Sequence, residues 1–158
     1  MMTELIDAGA PVVSRTEIEI AARPEVVWDL LTAFNRWPTW NPEVKSMAVH
    51  EPVVVGSTFR WKAGPSTVTS TIQRLEPPRL IAWSGRTMGI RAIDVFHLDA
   101  HRGATLVREE ESWSGLVARL LRRPLQRTLD RSLENGLRNL KAAAERQRNL
   151  RQSEVPAE

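Results

Sequence analysis

The feature that most restricts what this chain can fold into is an apolar stripe near its C-terminus. Leu125, Leu129, Leu133, Leu137, Leu140 and Ala144 recur at spacings of four, four, four, three and four, which sets them on one face of a 3.6-residue helix. The spacing predicts a helix from Pro124 to about Arg148. Pro124 suits its first turn, where the missing N–H would have had no intrahelical acceptor. At 1.5 Å per residue, roughly 25 residues extend about 37 Å, the width of a small domain. A stripe of that length needs an equally long apolar surface to cover it, and no second helix of comparable length is encoded.

The cover must therefore be a sheet. Thr16, Ile18 and Ile20 alternate with Arg15, Glu17 and Glu19, the pattern of a half-buried strand. Arg23 precedes a proline and is biased away from helix, so a short helix is expected to start at Pro24 and end near Phe34, with Val27, Leu30, Leu31 and Phe34 as its apolar face. Asn35 to Pro42 holds Trp37, Trp40, Pro38 and Pro42, a density of proline that allows a helical turn and a rigid loop only. Its two tryptophans either plug one end of the core or rim a pocket. Six further strands are expected near residues 44–50, 56–62, 67–76, 80–84, 90–99 and 104–114. Gly64-Pro65-Ser66, Pro77-Pro78, Gly85 to Gly89 and His101-Arg102-Gly103 punctuate them as turns. Short connections between consecutive strands make an antiparallel meander. One strand, two short helices, six strands and a long helix describe an α+β domain whose seven-stranded curved antiparallel sheet wraps the last helix. Residues 14–148 form that domain; residues 1–13 and 149–158 lack periodicity and are expected to be loose termini.

At 158 residues the chain can bury one sizeable core. It has no cysteine, hence no disulfide framework or thiolate metal site, and no apolar run approaches the ~20 residues of a membrane span. These features suit a cytoplasmic protein. The net charge of +3 is unevenly spread: Arg119 to Arg151 hold ten Lys or Arg against three acids, a local +7 that leaves −4 elsewhere. A solvated helix face explains this. No aromatic is interleaved with the arginines to stack on a base or sit at a lipid interface, which argues against both nucleic acid and an anionic membrane.

Three motifs carry a resemblance. The segment Trp37-Pro38-Thr39-Trp40-Asn41-Pro42 after a P-x-x-V-W-D-L-L helix, the run Ile81-Ala82-Trp83-Ser84-Gly85, and Gly103-Ala104-Thr105-Leu106-Val107 followed by Glu111-Ser112-Trp113-Ser114-Gly115 resemble the START-like (SRPBCC) superfamily. That superfamily includes the polyketide cyclase/dehydrase and lipid-transport proteins and the birch pollen allergen. In the last motif Trp113 stands where the family has Phe. The resemblance covers residues 15 to 148 and implies a helix-grip fold with a cavity between sheet and long helix, commonly used for hydrophobic small molecules. It implies no particular activity, since one scaffold hosts carriers, cyclases and receptors.

Strand parity indicates what would face that cavity. From Ile90 to Leu98 the even positions are the more apolar, so they point inward and carry Asp94 with them. In the last strand Thr105, Val107, Glu109, Glu111 and Trp113 share a face with parity less clear, and Trp113 favours that face as the inner one. Phe59 turns inward with Trp61, and Ile81 with Trp83. The candidate ligand-binding set is therefore Trp40, Phe59, Trp61, Trp83, Phe96 and Trp113, with Leu129, Leu133 and Leu137 from the helix; the polar points are Asp94 and Glu111. The same aromatics could equally be core. A buried carboxylate must be paired, neutralised or near water. Asp94 and Glu111 are either salt-bridged to Arg60, Arg91 or Arg108, or carry raised pKa values and serve as general acid or base.

His50, His97 and His101 lack metal-ligand spacing, there is no G-x-S-x-G, P-loop or dinucleotide fingerprint, and there is no tyrosine. Neither a metal nor a cofactor is expected. Three functions fit: a binding or transport protein for a hydrophobic small molecule such as a lipid or polyketide-like aromatic, a cyclase/dehydratase-type enzyme using Asp94 or Glu111, and a protein-interaction module using the basic face of the last helix.

Overall fold

A computed structural model describes residues 5–154. β1 (Val12–Ile20) leads into α1 (Pro24–Thr32), a single 3-10 turn (Phe34–Arg36) and α2 (Trp37–Trp40). Then follow β2 (Val44–Val49), β3 (Thr58–Ala63), β4 (Ser66–Glu76), β5 (Leu80–Thr87), β6 (Ile90–His101) and β7 (Ala104–Ser114). The chain closes with α3 (Leu116–Leu120) and α4 (Arg122–Ser153). The strands form one antiparallel sheet in the order β1-β7-β6-β5-β4-β3-β2. The expected α+β architecture is thus present: seven strands, two short helices between the first and second, and a long last helix on the inner face.

α4 buries Leu129, Leu133, Leu137, Leu140, Ala143 and Ala144, so the stripe points at the sheet as its spacing requires. Its flanks tie it to both margins of the domain. Along β1, Gln126 Nε2 donates to Val13 O (2.8 Å), Ser14 Oγ to Asp130 Oδ1 (2.6 Å) and Lys141 Nζ to Glu19 O (2.8 Å). On the opposite flank, Asn135 Nδ2 and Ser132 Oγ donate to the Glu43 carboxylate at 3.2 and 3.4 Å. α1 adds Val26, Val27, Trp28 and Leu31 to the core, and Asn35 fastens the 3-10 turn to β2 by accepting from Val49 N at 3.0 Å.

Several boundaries differ from the expectation. α4 begins at Arg122 and continues to Ser153, so much of the expected C-terminal tail is helical. β5 runs to Thr87, which takes Gly85 out of the expected turn and leaves Met88-Gly89 to make it. α3 was not legible in the sequence, being only five residues long. Gly115 makes the corner before it, with φ of 107° and its Cα so close to Gly89 that a Cβ would lie 2.5 Å from that carbonyl oxygen. Of the N-terminal stretch expected to be loose, residues 1–4 lie outside the described residues. Ile6 is buried with Ala82 and Val95 on the outer face of the sheet, and Asp7 N donates to Ser112 Oγ at 3.0 Å. Residues 155–158 also lie outside the described residues.

Candidate functional site

The period of two along β6 and β7 decides which side chains meet α4. Ala92, Asp94, Phe96 and Leu98 from β6 face it, and so do Thr105, Val107, Glu109, Glu111 and Trp113 from β7. The register sets Asp94 opposite Glu111, Phe96 opposite Glu109 and Ala92 opposite Trp113. Three acids are thereby gathered on one inner face, and a carboxylate oxygen from each of Asp94, Glu109 and Glu111 lies within 4.8 Å of the others. Asp94 and Glu109 are buried, at 9% and 6% exposure, while Glu111 is half-buried. Glu109 was not singled out from the sequence, although it shares the parity of Glu111 and that was the available signal.

The expected arginine partners are not there. Arg60, Arg91 and Arg108 alternate onto the other face and are exposed; Arg108 pairs instead with Asp99 at 3.1 Å. Among the described residues no salt bridge includes any of the three acids. With no countercharge, loss of water dominates. Burial pushes the Asp94 carboxyl well above its usual range, and the Glu109 and Glu111 charges push it further. Glu109 is raised by burial and by the Glu111 charge, while its hydrogen bond with Asp94 pulls it down. Glu111 is pushed up to about 7 by burial, against the opposing pull of its hydrogen bond from Trp113. In that bond Trp113 Nε1 donates to Glu111 Oε1 at 2.6 Å. Among the described residues two buried side-chain polar atoms have no hydrogen-bond partner, Asp94 Oδ1 in this cluster and Trp40 Nε1. Three hard oxygens this close could hold a cation, or the cluster can be neutralised by protons alone.

The predicted ligand-binding residues divide around the acids. Phe59, Trp83 and Phe96 are almost fully buried and touch one another or Phe34, with ring centroids 4.7 Å apart for Phe34–Phe59, 5.8 Å for Phe59–Trp83 and 5.4 Å for Trp83–Phe96. Trp40 lies on Trp37 at 5.2 Å, and Leu137 belongs to the same cluster. On the other side of the acids, Leu129 and Leu133 pack with Val12 and Ala118, and half-buried Trp113 and Leu125 border them. Trp61 is also half-buried and donates from Nε1 to Ser70 Oγ at 3.1 Å.

Between the tryptophans the interface thins. Across the strands from Trp113, the register runs through Ala92, Gly85 and Ser70, all short side chains, and Ala92 is half exposed although it faces inward. On α4, Gly136 lies seven residues beyond Leu129 and therefore on the same face as the stripe, and it is half-buried. A Cβ on Gly136 would meet no heavy atom within 4 Å, so the helix face is open where its neighbours are closed. The signal for this was a stripe position occupied by glycine. Two recesses lie outside the sheet–helix space. One, of about 350 Å³, lies between Asp7 to Pro11 and Ser114 to Arg119; the other, of about 250 Å³, is on the outer face around Leu5, Arg74 and Arg91.

Residues 11–145 match the family model for polyketide cyclase / dehydrase and lipid transport. No curated protein matches the sequence significantly. Solved structures share the fold at low identity. A hypothetical protein of Helicobacter pylori superposes with a TM-score of 0.77 at 13% identity, covering 89% of this chain and 92% of its own. The Zhui aromatase/cyclase of a Streptomyces species gives 0.75 at 16% identity, covering 85% and 93%. A START superfamily protein of Mycobacterium smegmatis gives 0.66 at 16% identity, covering 85% and 95%.

Proposed function

Since the chain belongs to the polyketide cyclase / dehydrase and lipid transport family, we propose that it binds a hydrophobic small molecule, a lipid or a polyketide-like aromatic, between the sheet and α4. Trp61 and Trp113 flank the entry, Leu129 and Leu133 line it beside Gly136, and the acids Asp94 and Glu111 meet the polar end of the ligand. The carrying observation is that three uncompensated carboxyl groups, one with an oxygen lacking any partner, share the inner face with a helix position left open. A buried acid in that state is a hydrogen-bond donor as well as an acceptor, so a ligand carbonyl or hydroxyl would satisfy it. Large apolar walls with a few convergent polar groups suit such ligands.

Native mass spectrometry of the purified protein tests this, with Gly136→Leu as the companion variant. A co-purified small molecule in the parent, absent from a folded Gly136→Leu, is the expected result. A parent free of ligand that also fails to bind an apolar dye such as ANS would contradict it.

Catalysis of the cyclase or dehydratase kind is a second reading, favoured by one observation. Glu111 is half-buried with a pKa pushed up to about 7, where an acid can both give and take a proton near neutral pH. Glu111 would move the proton on a ligand held beside it, and Asp94 would hold one on the ligand's oxygen. If both Glu111→Gln and Asp94→Asn retained ligand binding and lost turnover of an aromatic polyketide substrate, the enzyme reading would stand. Unchanged turnover would remove it.

A further inference from the structure

We infer that α3 and the first turns of α4 form a docking surface for an anionic lipid bilayer. α3 is held from beneath by Ala118, fully buried with Val12, Leu129 and Leu133, and by half-buried Val117, which abuts Gly89. Its other side faces solvent. Leu116 and Leu120, one helical turn apart, are 69% and 72% exposed, and Leu121 is 50% exposed. The Met88-Gly89 turn lies against α3 through Val117 and adds Met88, 74% exposed. Isolated surface leucines need no explanation, but a contiguous apolar patch on so short a helix does.

The charge around the patch selects its partner. Between Ser112 and Leu129 there are four arginines, Arg119, Arg122, Arg123 and Arg127, and no acid. All four are exposed, and among the described residues none is in a salt bridge. Asp7 borders the recess beside Leu116 and Arg119, but the leucines are interspersed with four arginines, which meets the requirements of an interfacial membrane site, where apolar side chains enter the headgroup and acyl boundary and cations meet lipid phosphates. A second copy of the chain is disfavoured, because a two-fold contact would set this basic ring against itself. A nucleic acid would leave the leucines against phosphate, with no aromatic here to stack on a base. Docking would bring the bilayer to the end of the sheet that carries Trp113 and Ala92, a register pair next to Ser114 and Arg91. No helix among the described residues is long and apolar enough to cross a membrane, so the contact is peripheral. This surface stands whether or not the inner-face site takes the ligand proposed above.

Flotation of the full chain with lipid vesicles tests it. The parent should float with phosphatidylcholine vesicles containing phosphatidylglycerol and remain behind with phosphatidylcholine alone, and rising salt should release it. Each arginine near such a surface is worth about five-fold in affinity, so Arg122→Glu with Arg123→Glu should weaken binding at least about tenfold. Leu120→Glu with Leu121→Glu should weaken it as strongly, whereas Arg138→Glu with Arg146→Glu, farther along α4, should matter much less. All of these side chains are exposed, and unchanged circular dichroism would show that the variants are folded. The salt dependence of the parent gives a reading that needs no variant. Failure of the parent to bind anionic vesicles would overturn the inference. So would loss of binding in the arginine pair with none in the leucine pair, since charge alone would then suffice, or concentration-dependent self-association that the leucine pair abolishes.

Discussion

Where α1 and α2 meet the sheet, Phe34, Phe59, Trp83 and Phe96 fill the space under the helices, and none is more than 5% exposed. Where α4 begins, the same sheet is covered by Val12, Ala118, Leu129 and Leu133 with half-buried Trp113, and three acids lie between the two clusters. The aromatic end resembles an ordinary protein interior, close-packed and free of charge. The acidic middle breaks the usual rule that buried charge is paired. A fold that stabilises itself at one end can tolerate uncompensated groups and an unfilled helix position at the other, and that is where a ligand would gain most.

The largest expected effect comes from breaking the closed end. Phe59→Ala should lower stability by about 3–5 kcal/mol in chemical denaturation, because the surrounding rings cannot collapse into the space left. Leu133→Ala lies beside the open position of Gly136 and should cost only about 2 kcal/mol, near the lower limit for a buried leucine. If Leu133→Ala proved the costlier of the two, the contrast between the ends would be lost.

How much of this was readable from residues alone follows the same division. The stripe from Leu125 to Ala144 and the inward set Asp94, Phe96, Glu111 and Trp113 were legible, because helix and strand periods are local properties of sequence. What arginines do with Asp94 and Glu111 was not legible. Arg60, Arg91 and Arg108 are near in sequence, yet parity sends them to the opposite face, where Arg108 finds Asp99. Which aromatics are packed and which stand at an opening depends on contacts between distant strands; Trp61 and Trp83 look alike in sequence and differ in exposure. Ile6 covers the outer face through contacts with Ala82 and Val95, and no periodicity announces so short a segment.

Acid titration sharpens the contrast next. Folded Glu111 keeps its proton to about pH 7, whereas the unfolded chain releases it near the ordinary value of 4.5. Between those pH values the unfolded state holds fewer protons, so stability declines as pH rises from about 4.5 to 7 and is then lost no further through this group. Glu111→Gln should flatten that decline, as seen in denaturation midpoints measured across the interval. Glu145 should act with the opposite sign, since its hydrogen bond from Lys141 lowers its pKa; its contribution disappears on acidification. A decline of unchanged slope in Glu111→Gln would mean that another group causes it.

Smaller still is Gly136→Ala. A Cβ there meets nothing, so the gain in helix propensity should appear as up to about 1 kcal/mol of added stability. A loss instead would mean that the position is closed. On the solvated face of α4, Arg131→Ala should shift stability by no more than about 0.5 kcal/mol.

The central claim is that the inner face carries uncompensated acids, and carboxyl-detected NMR titration of Asp94, Glu109 and Glu111 tests it most directly. The account predicts that Glu111 titrates near pH 7 and that Asp94 and Glu109 titrate well above ordinary carboxyl groups. Ordinary or depressed values for all three would show that cations or water reach them, and would leave a fold without the buried acid site proposed here.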